Sequence, residues 1–350
     1  MMASYQVLVS DAICKGAGAS FFPEWQLLSG VAILASVAII VFLYLVNKFF
    51  QNAEGAGWAK LELYEVFVTV LIMVAVISAT NVACNAKASW LFSYANIPPE
   101  YDHNIYEASV YYLDSFSGGV MRVTTELYAF YCFMDWLGSM TFTAKPLGLG
   151  TSIQPTNGIS STMKAGLTNA FNVMVISYIT NKVQIFLIDF ISFGFLKYYL
   201  PIGIFLRSFT PTRRIGGTII AIALGFLFVY PFLIILEGAA GLAPLEWMSS
   251  TLIPDFQAEF SKFEFMPFIY AITKGVFTLD VFNIIGYILR SGLGILSFGL
   301  LYLFASGAGF AFMVGLFFPA FNTLILVTTI RYLSKSMGEE IDVSNLTRLI

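Results

Sequence analysis

A chain of 350 residues that is 58% hydrophobic, 17% aromatic and only 11% charged has too little polar surface to wrap a soluble globule of its size. With a mean hydropathy of +0.80, the composition is that of an integral membrane protein. The net charge of −3 says nothing about partners, because acids gather in two long polar connections and bases at one short one.

A helix crossing a bilayer needs about 20 mostly apolar residues. The first such window is Leu27 to Val46. No basic region or cleavable small-residue site precedes it, and Lys48 follows closely, so it reads as an uncleaved anchor with the N-terminus outside. The linker carrying Lys48, Glu54 and Lys60 then lies inside, and the second window is Val66 to Val82. Glu62 and Glu65 read as first-turn carboxylates at the positive end of that helix.

Cys14, Cys84 and Cys132 all fall on the outer side, where disulfides persist. Either Cys14 and Cys84 are bridged, clamping the outer ends of the first two spans with Cys132 left single or paired to another chain, or all three are inert thiols. His103 is the only histidine, which argues against a zinc or haem site, and no cofactor is expected.

The outer segment Asn85 to Met163 holds a long amphipathic stretch. Leu113, Phe116, Val120, Val123, Leu127, Phe130, Met134 and Leu137 follow one another at alternating spacings of 3 and 4. That is a heptad seam, with Asp114, Arg122, Glu126 and Asp135 off it. Three placements stay open: packing on the chain's own outer surface, docking another subunit, or lying flat on the outer leaflet. After a polar linker at Pro155 to Ser161, Asn169 to Thr180 is expected to extend the third span outward as one long helix.

The third window, Val183 to Leu206, contains Asp189, a candidate intramembrane polar site that faces a lumen or answers Lys182. It ends at the basic connection Arg207, Arg213 and Arg214, which carries no acid and so marks the cytoplasmic side. Thr210-Pro211 reads as an N-cap followed by a first-turn proline, opening the fourth window, Ile215 to Leu236, with Glu237 at its outer interface.

From Leu242 to Asp280 the acids Glu246, Asp255, Glu259, Glu264 and Asp280 outweigh Lys262 and Lys274, which suits the outside. The run Val281 to Ile330 is long enough for two more spans turning at Ser306 to Gly309. Against two stands Arg290, whose charge would cost at least about 2.5 kcal/mol facing lipid. Five and six spans both remain open; Arg331, Lys335 and Arg348 favour a cytoplasmic C-terminus and an odd number. Pro201, Pro231 and Pro319 interrupt the apolar runs and are expected to kink them, while Ala305 with Gly309 and Ala311 with Gly315 allow close helix packing or self-association.

The sequence thus describes an all-α polytopic membrane protein with five or six transmembrane helices and an extracytoplasmic helical insertion. It divides into residues 1–84 (outer segment and first hairpin), 85–164 (outer helical region), 165–241 (hairpin with basic tip), 242–280 (outer connection) and 281–350 (C-terminal spans and tail). No HExxH, GxSxG, P-loop or glycine-rich dinucleotide turn is present, so no enzyme is expected.

Two stretches carry a resemblance. Leu200-Pro-Ile-Gly-Ile-Phe-Leu-Arg207-Ser-Phe-Thr-Pro-Thr-Arg213-Arg-Ile-Gly216-Gly, followed by Val229-Tyr-Pro231, forms the first. The second is the ending with Arg331-Tyr-Leu-Ser, Gly338-Glu-Glu-Ile-Asp342 and Leu346-Thr-Arg348-Leu-Ile. Over about a third of the chain these stretches resemble a group of archaeal polytopic membrane proteins that also share a pair of outer cysteines. Members of that group are similar to the channel subunit of the archaeal exchange-of-DNA import apparatus. They are likewise similar to the polytopic inner-membrane subunit of type IV secretion machines. The resemblance implies a subunit in the cytoplasmic membrane that surrounds or lines a DNA path as a homo-oligomer, beside pilus-like or other membrane subunits and a separate cytoplasmic ATPase. Two other readings stand beside it: a secondary transporter of a small solute, and a membrane scaffold for a surface appendage.

Overall fold

The computed structural model describes residues 13–14, 23–91, 104–144, 151–154, 157–247 and 305–337, with 250, 251, 254, 258, 270 and 274 as isolated positions. Arg290, the tail from Gly338 and most of the connection from Leu242 to Asp280 lie outside them. Among the described residues, five helices are long and apolar enough to cross a membrane: Glu24–Phe49, Ala53–Asn85, Ser160–Arg207, Arg213–Gly241 and Ala305–Ser336. The stretch Ser306 to Gly309, expected as a turn, is helical and belongs to the fifth of these.

Helices α1 (Glu24–Phe49) and α2 (Ala53–Asn85) form an antiparallel hairpin. Its turn holds Gln51 at φ 54°, and Asn52 caps α2 by accepting the Gly55 N–H at 3.1 Å. Because α2 starts at Ala53, Glu62 and Glu65 sit well inside the helix and are not first-turn caps. Large apolar side chains face away from the protein on both helices, among them Leu34, Phe42, Phe67 and Val74. In water each would forfeit about 1.5–3 kcal/mol of burial, so the surface suits a hydrocarbon surround.

At the far end of this hairpin Cys14 and Cys84 are bridged, with Cα atoms 5.7 Å apart. The indole of Trp25 donates to the Ile13 carbonyl at 3.2 Å, and both residues are buried. The bridge therefore sits on a packed platform. Cys132 is a free, exposed thiol.

After the short α3 (Ala88–Leu91) comes α4 (Ile105–Ser139), opened by the Asn104 carboxamide, which accepts the Glu107 N–H at 2.8 Å. The strands β1 (Phe142–Ala144) and β2 (Thr151–Ile153) pair antiparallel and are the only β-structure among the described residues. Then α5 (Asn157–Phe190) runs unbroken through Asn169 to Thr180, the long third helix that the sequence implied. A π-helical stretch, Ile191–Tyr199, leads into α6 (Leu200–Arg207); α7 (Arg213–Leu224) passes through a second π turn, Gly225–Val229, into α8 (Tyr230–Trp247). A third π turn, Met313–Phe317, precedes α9 (Phe318–Ser336).

The three interrupting prolines explain these π turns. Pro201, Pro231 and Pro319 each stand second in the helix that follows one. A proline removes a backbone donor and its ring collides with the carbonyl four residues back; widening the preceding turn removes the collision. Accordingly Leu200, Tyr230 and Phe318, each just before a proline, donate five residues back, to Phe195, Gly225 and Met313.

The chain separates into two compact units. One comprises Met1–Asp114, Lys182–Ala240 and Pro319–Ile350; the other comprises Ser115–Asn181 and Gly241–Phe318. In the first, α1 packs on α2 and on α6, and α6 packs closely on α7. In the second, the α4 seam forms the core: Phe116, Val120, Val123, Leu127, Phe130 and Met134 are all buried, as is Leu113 at the end of the first unit. Phe116 meets Phe310 edge-on at 5.9 Å, Ser160 donates to the Met134 carbonyl at 2.6 Å, and Lys164 pairs with Asp135 while lying over the Tyr131 ring. These seam side chains are thus buried within the chain, the first of the three placements that the sequence left open. Its last member, Leu137, is on the helix, but its side chain lies outside the described residues.

Candidate functional site

Two polar constellations stand out in the first unit. The first is the basic tip. Gly203 and Gly216 let α6 and α7 meet backbone to backbone: a Cβ on Gly216 would lie 2.3 Å from the Arg207 nitrogen and 2.7 Å from the Gly203 oxygen. Helix α6 ends in turns at Ser208 and Phe209, and the Thr212 hydroxyl donates to the Leu206 carbonyl at 2.8 Å. Helix α7 begins at Arg213, so Thr210-Pro211 does not form its N-cap. The Thr210 hydroxyl instead accepts the Trp58 indole N–H at 3.3 Å.

Two of the three arginines turn inward. Arg213 donates to Glu62 at 2.7 Å and lies 3.6 Å from Glu65, fastening α7 to α2. Glu62 is 2% exposed, so the guanidinium supplies the counter-charge that a buried carboxylate requires. Arg207, 6% exposed, donates to the Met337 carbonyl at 3.4 Å, satisfying an end carbonyl beyond α9. Only Arg214 is exposed. The tip is therefore chiefly a lock joining α2, α6, α7 and the end of α9, with one cation left for an outside phosphate or acid.

The second constellation is centred on Glu237. The sequence placed it at an interface, yet its side chain is 3% exposed. Asn322 on α9, 4% exposed, donates to its Oε2 at 2.7 Å, and its Oε1 is buried without a hydrogen-bond partner. Tyr230, seven residues earlier at the start of α8, is buried, and the ring of Tyr112 lies against Gly238, 3.0 Å from where a Cβ would stand. Burial pushes the Tyr112 phenol well above its ordinary range, and negative charge on Glu237 acts in the same direction. Asn322 carried no signal in the sequence; an ionisable residue close to a proline-broken apolar run was the only hint.

The remaining expected site residues are scattered. Asp189 is half-buried on α5, and Lys182 pairs with Asp114 at 2.8 Å. Arg290 lies outside the described residues. Glu24 pairs with Lys197 at 2.7 Å, tying the start of α1 to the π stretch of the third span. Among the described residues no three of His, Cys, Asp and Glu come together in a metal-binding group. No family model, no curated protein and no solved structure matches the chain.

Proposed function

We propose that the chain is a multi-pass subunit of the cytoplasmic membrane, with its N-terminus outside, in a type IV secretion-like machine that imports or transfers DNA. The observation that carries this reading is the hairpin Pro201 to Gly216, the stretch on which the resemblance rests. Each of its distinctive residues has a task in closing one compact joint: Gly203 and Gly216 in the contact, Thr212 in the turn, Arg207 and Arg213 in the lock. A stretch so closely specified fits a family-wide element around which a larger assembly is organised. The bridge at the opposite end of α2 supports the orientation, since disulfides persist outside the reducing cytoplasm and basic tips are retained inside. Energy for transport would come from a separate ATPase, with other membrane or pilus-like subunits and further copies of this chain completing the path.

In the native host, loss of the gene should reduce marker exchange between cells to background, and the wild-type gene should restore it. Unchanged exchange, with only the lone monomer recovered in mild detergent, overturns the proposal. The Glu237 and Asn322 pair, buried beside π-broken helices, favours a solute transporter as the second reading. A specific small-solute uptake defect with normal DNA exchange would select it.

A further inference from the structure

We propose that Glu237 is a proton-binding site in the membrane-embedded part of the chain, and that departure of its proton is coupled to the parting of α8 from α9 at Asn322. The surroundings require it. Among the described residues, the groups facing Glu237 come from three elements: Tyr112 from α4, Tyr230 from the start of α8 itself, and Asn322 from α9. All are formally neutral side chains, and among the described residues no Lys, Arg or His is paired with Glu237. One amide donor on Oε2 cannot offset a full buried charge, and Oε1 has no donor at all. A proton on the carboxyl removes the charge.

Glu62 provides the internal contrast. It is buried to the same degree, but Arg213 lies 2.7 Å away and supplies its counter-charge. When Glu237 loses its proton, the carboxylate must find water or a counter-ion, and both require α9 to move away. The π turn Gly225–Val229 lies in the same span, where the backbone ladder is already loosened. Because the inference depends on this pocket alone, it holds for a translocation subunit and for a solute transporter.

The test uses the full-length protein in detergent, treated with dicyclohexylcarbodiimide, a lipid-soluble reagent for protonated carboxyls. Mass spectrometry should find Glu237 modified and Glu62 unmodified at neutral pH. Modification should fall to background in alkaline buffer and be indifferent to sodium and potassium. Protection by either ion at fixed pH overturns the proposal in favour of a metal-cation site.

Infrared difference spectra between acidic and alkaline buffer give an independent reading. A protonated-carboxyl band in the wild type should be missing from Glu237→Gln. Its persistence in that variant, or its absence from the wild type, overturns the proposal irrespective of reagent access. For the coupling, hydrogen exchange in α8 and α9 peptides, corrected for the intrinsic effect of pH, should rise in alkali in the wild type but not in Glu237→Gln. Equal rises in both reject the coupling. None of these readouts involves DNA exchange, so failure here is distinguishable from failure of the proposed function.

Discussion

At the residue scale, the tip shows how side chains that look alike in the sequence take different tasks. Charge and loop length alone made Arg207, Arg213 and Arg214 an expected orientation signal, a reading that needs no partner residues. That two of them are structural was not legible, since Glu62 is 151 positions from Arg213 and Met337 is 130 from Arg207. Arg213→Gln leaves Glu62 buried without its counter-charge and should destabilise the protein by about 2–3 kcal/mol. Adding Glu62→Gln should recover part of that, measured by thermal unfolding in detergent; no recovery would show that Arg213 acts elsewhere. Gly216→Ala drives a methyl into backbone and should exceed the usual overpacking cost of about 1–3 kcal/mol. Gly203→Ala should cost less, since its nearest obstacle, an Ile220 side-chain carbon at 2.9 Å, can move.

At the element scale, the helices follow from apolar windows and the seam of α4 from its heptad, so both could be read directly. What the seam faces could not. Periodicity reveals an apolar stripe but not its cover, and here the cover includes Phe310, far along the chain. Prolines were legible as interruptions, whereas their resolution as π turns depends on backbone relaxation that no spacing rule records. Each π turn takes in one residue more than an α turn and rotates everything after it relative to a regular helix. The turn before Pro231 therefore helps set the direction in which Glu237 points. Pro231→Ala restores the missing donor and should let the segment regain α geometry, turning Glu237 away from Asn322. A cross-linkable cysteine pair in place of these two residues should form readily in the parent and poorly in the proline variant. Equal yields would show that packing, not the proline, fixes the bulge.

At the scale of the whole molecule, the apolar windows of the five lipid-length helices were legible, though the count stayed open between five and six, and Cys14 with Cys84 was one of two readings, the other being inert thiols. Hydropathy sets the first, and flanking a common hairpin suggested the second. The division into two units was not foreseeable, because α4 and α5 each contribute to both and neither boundary falls at a compositional break. The Cys14 to Cys84 bond spans a separation of 70 residues, for which chain entropy gives a contribution of about 4 kcal/mol. It also makes the first hairpin a closed covalent ring. A protease that nicks the chain beside Lys48, in the exposed bend between α1 and α2, cuts that ring without dividing the polypeptide. The nicked protein should migrate as one species on a non-reducing denaturing gel and fall into two fragments only after reduction. Separation without reductant would show that the staple had never formed.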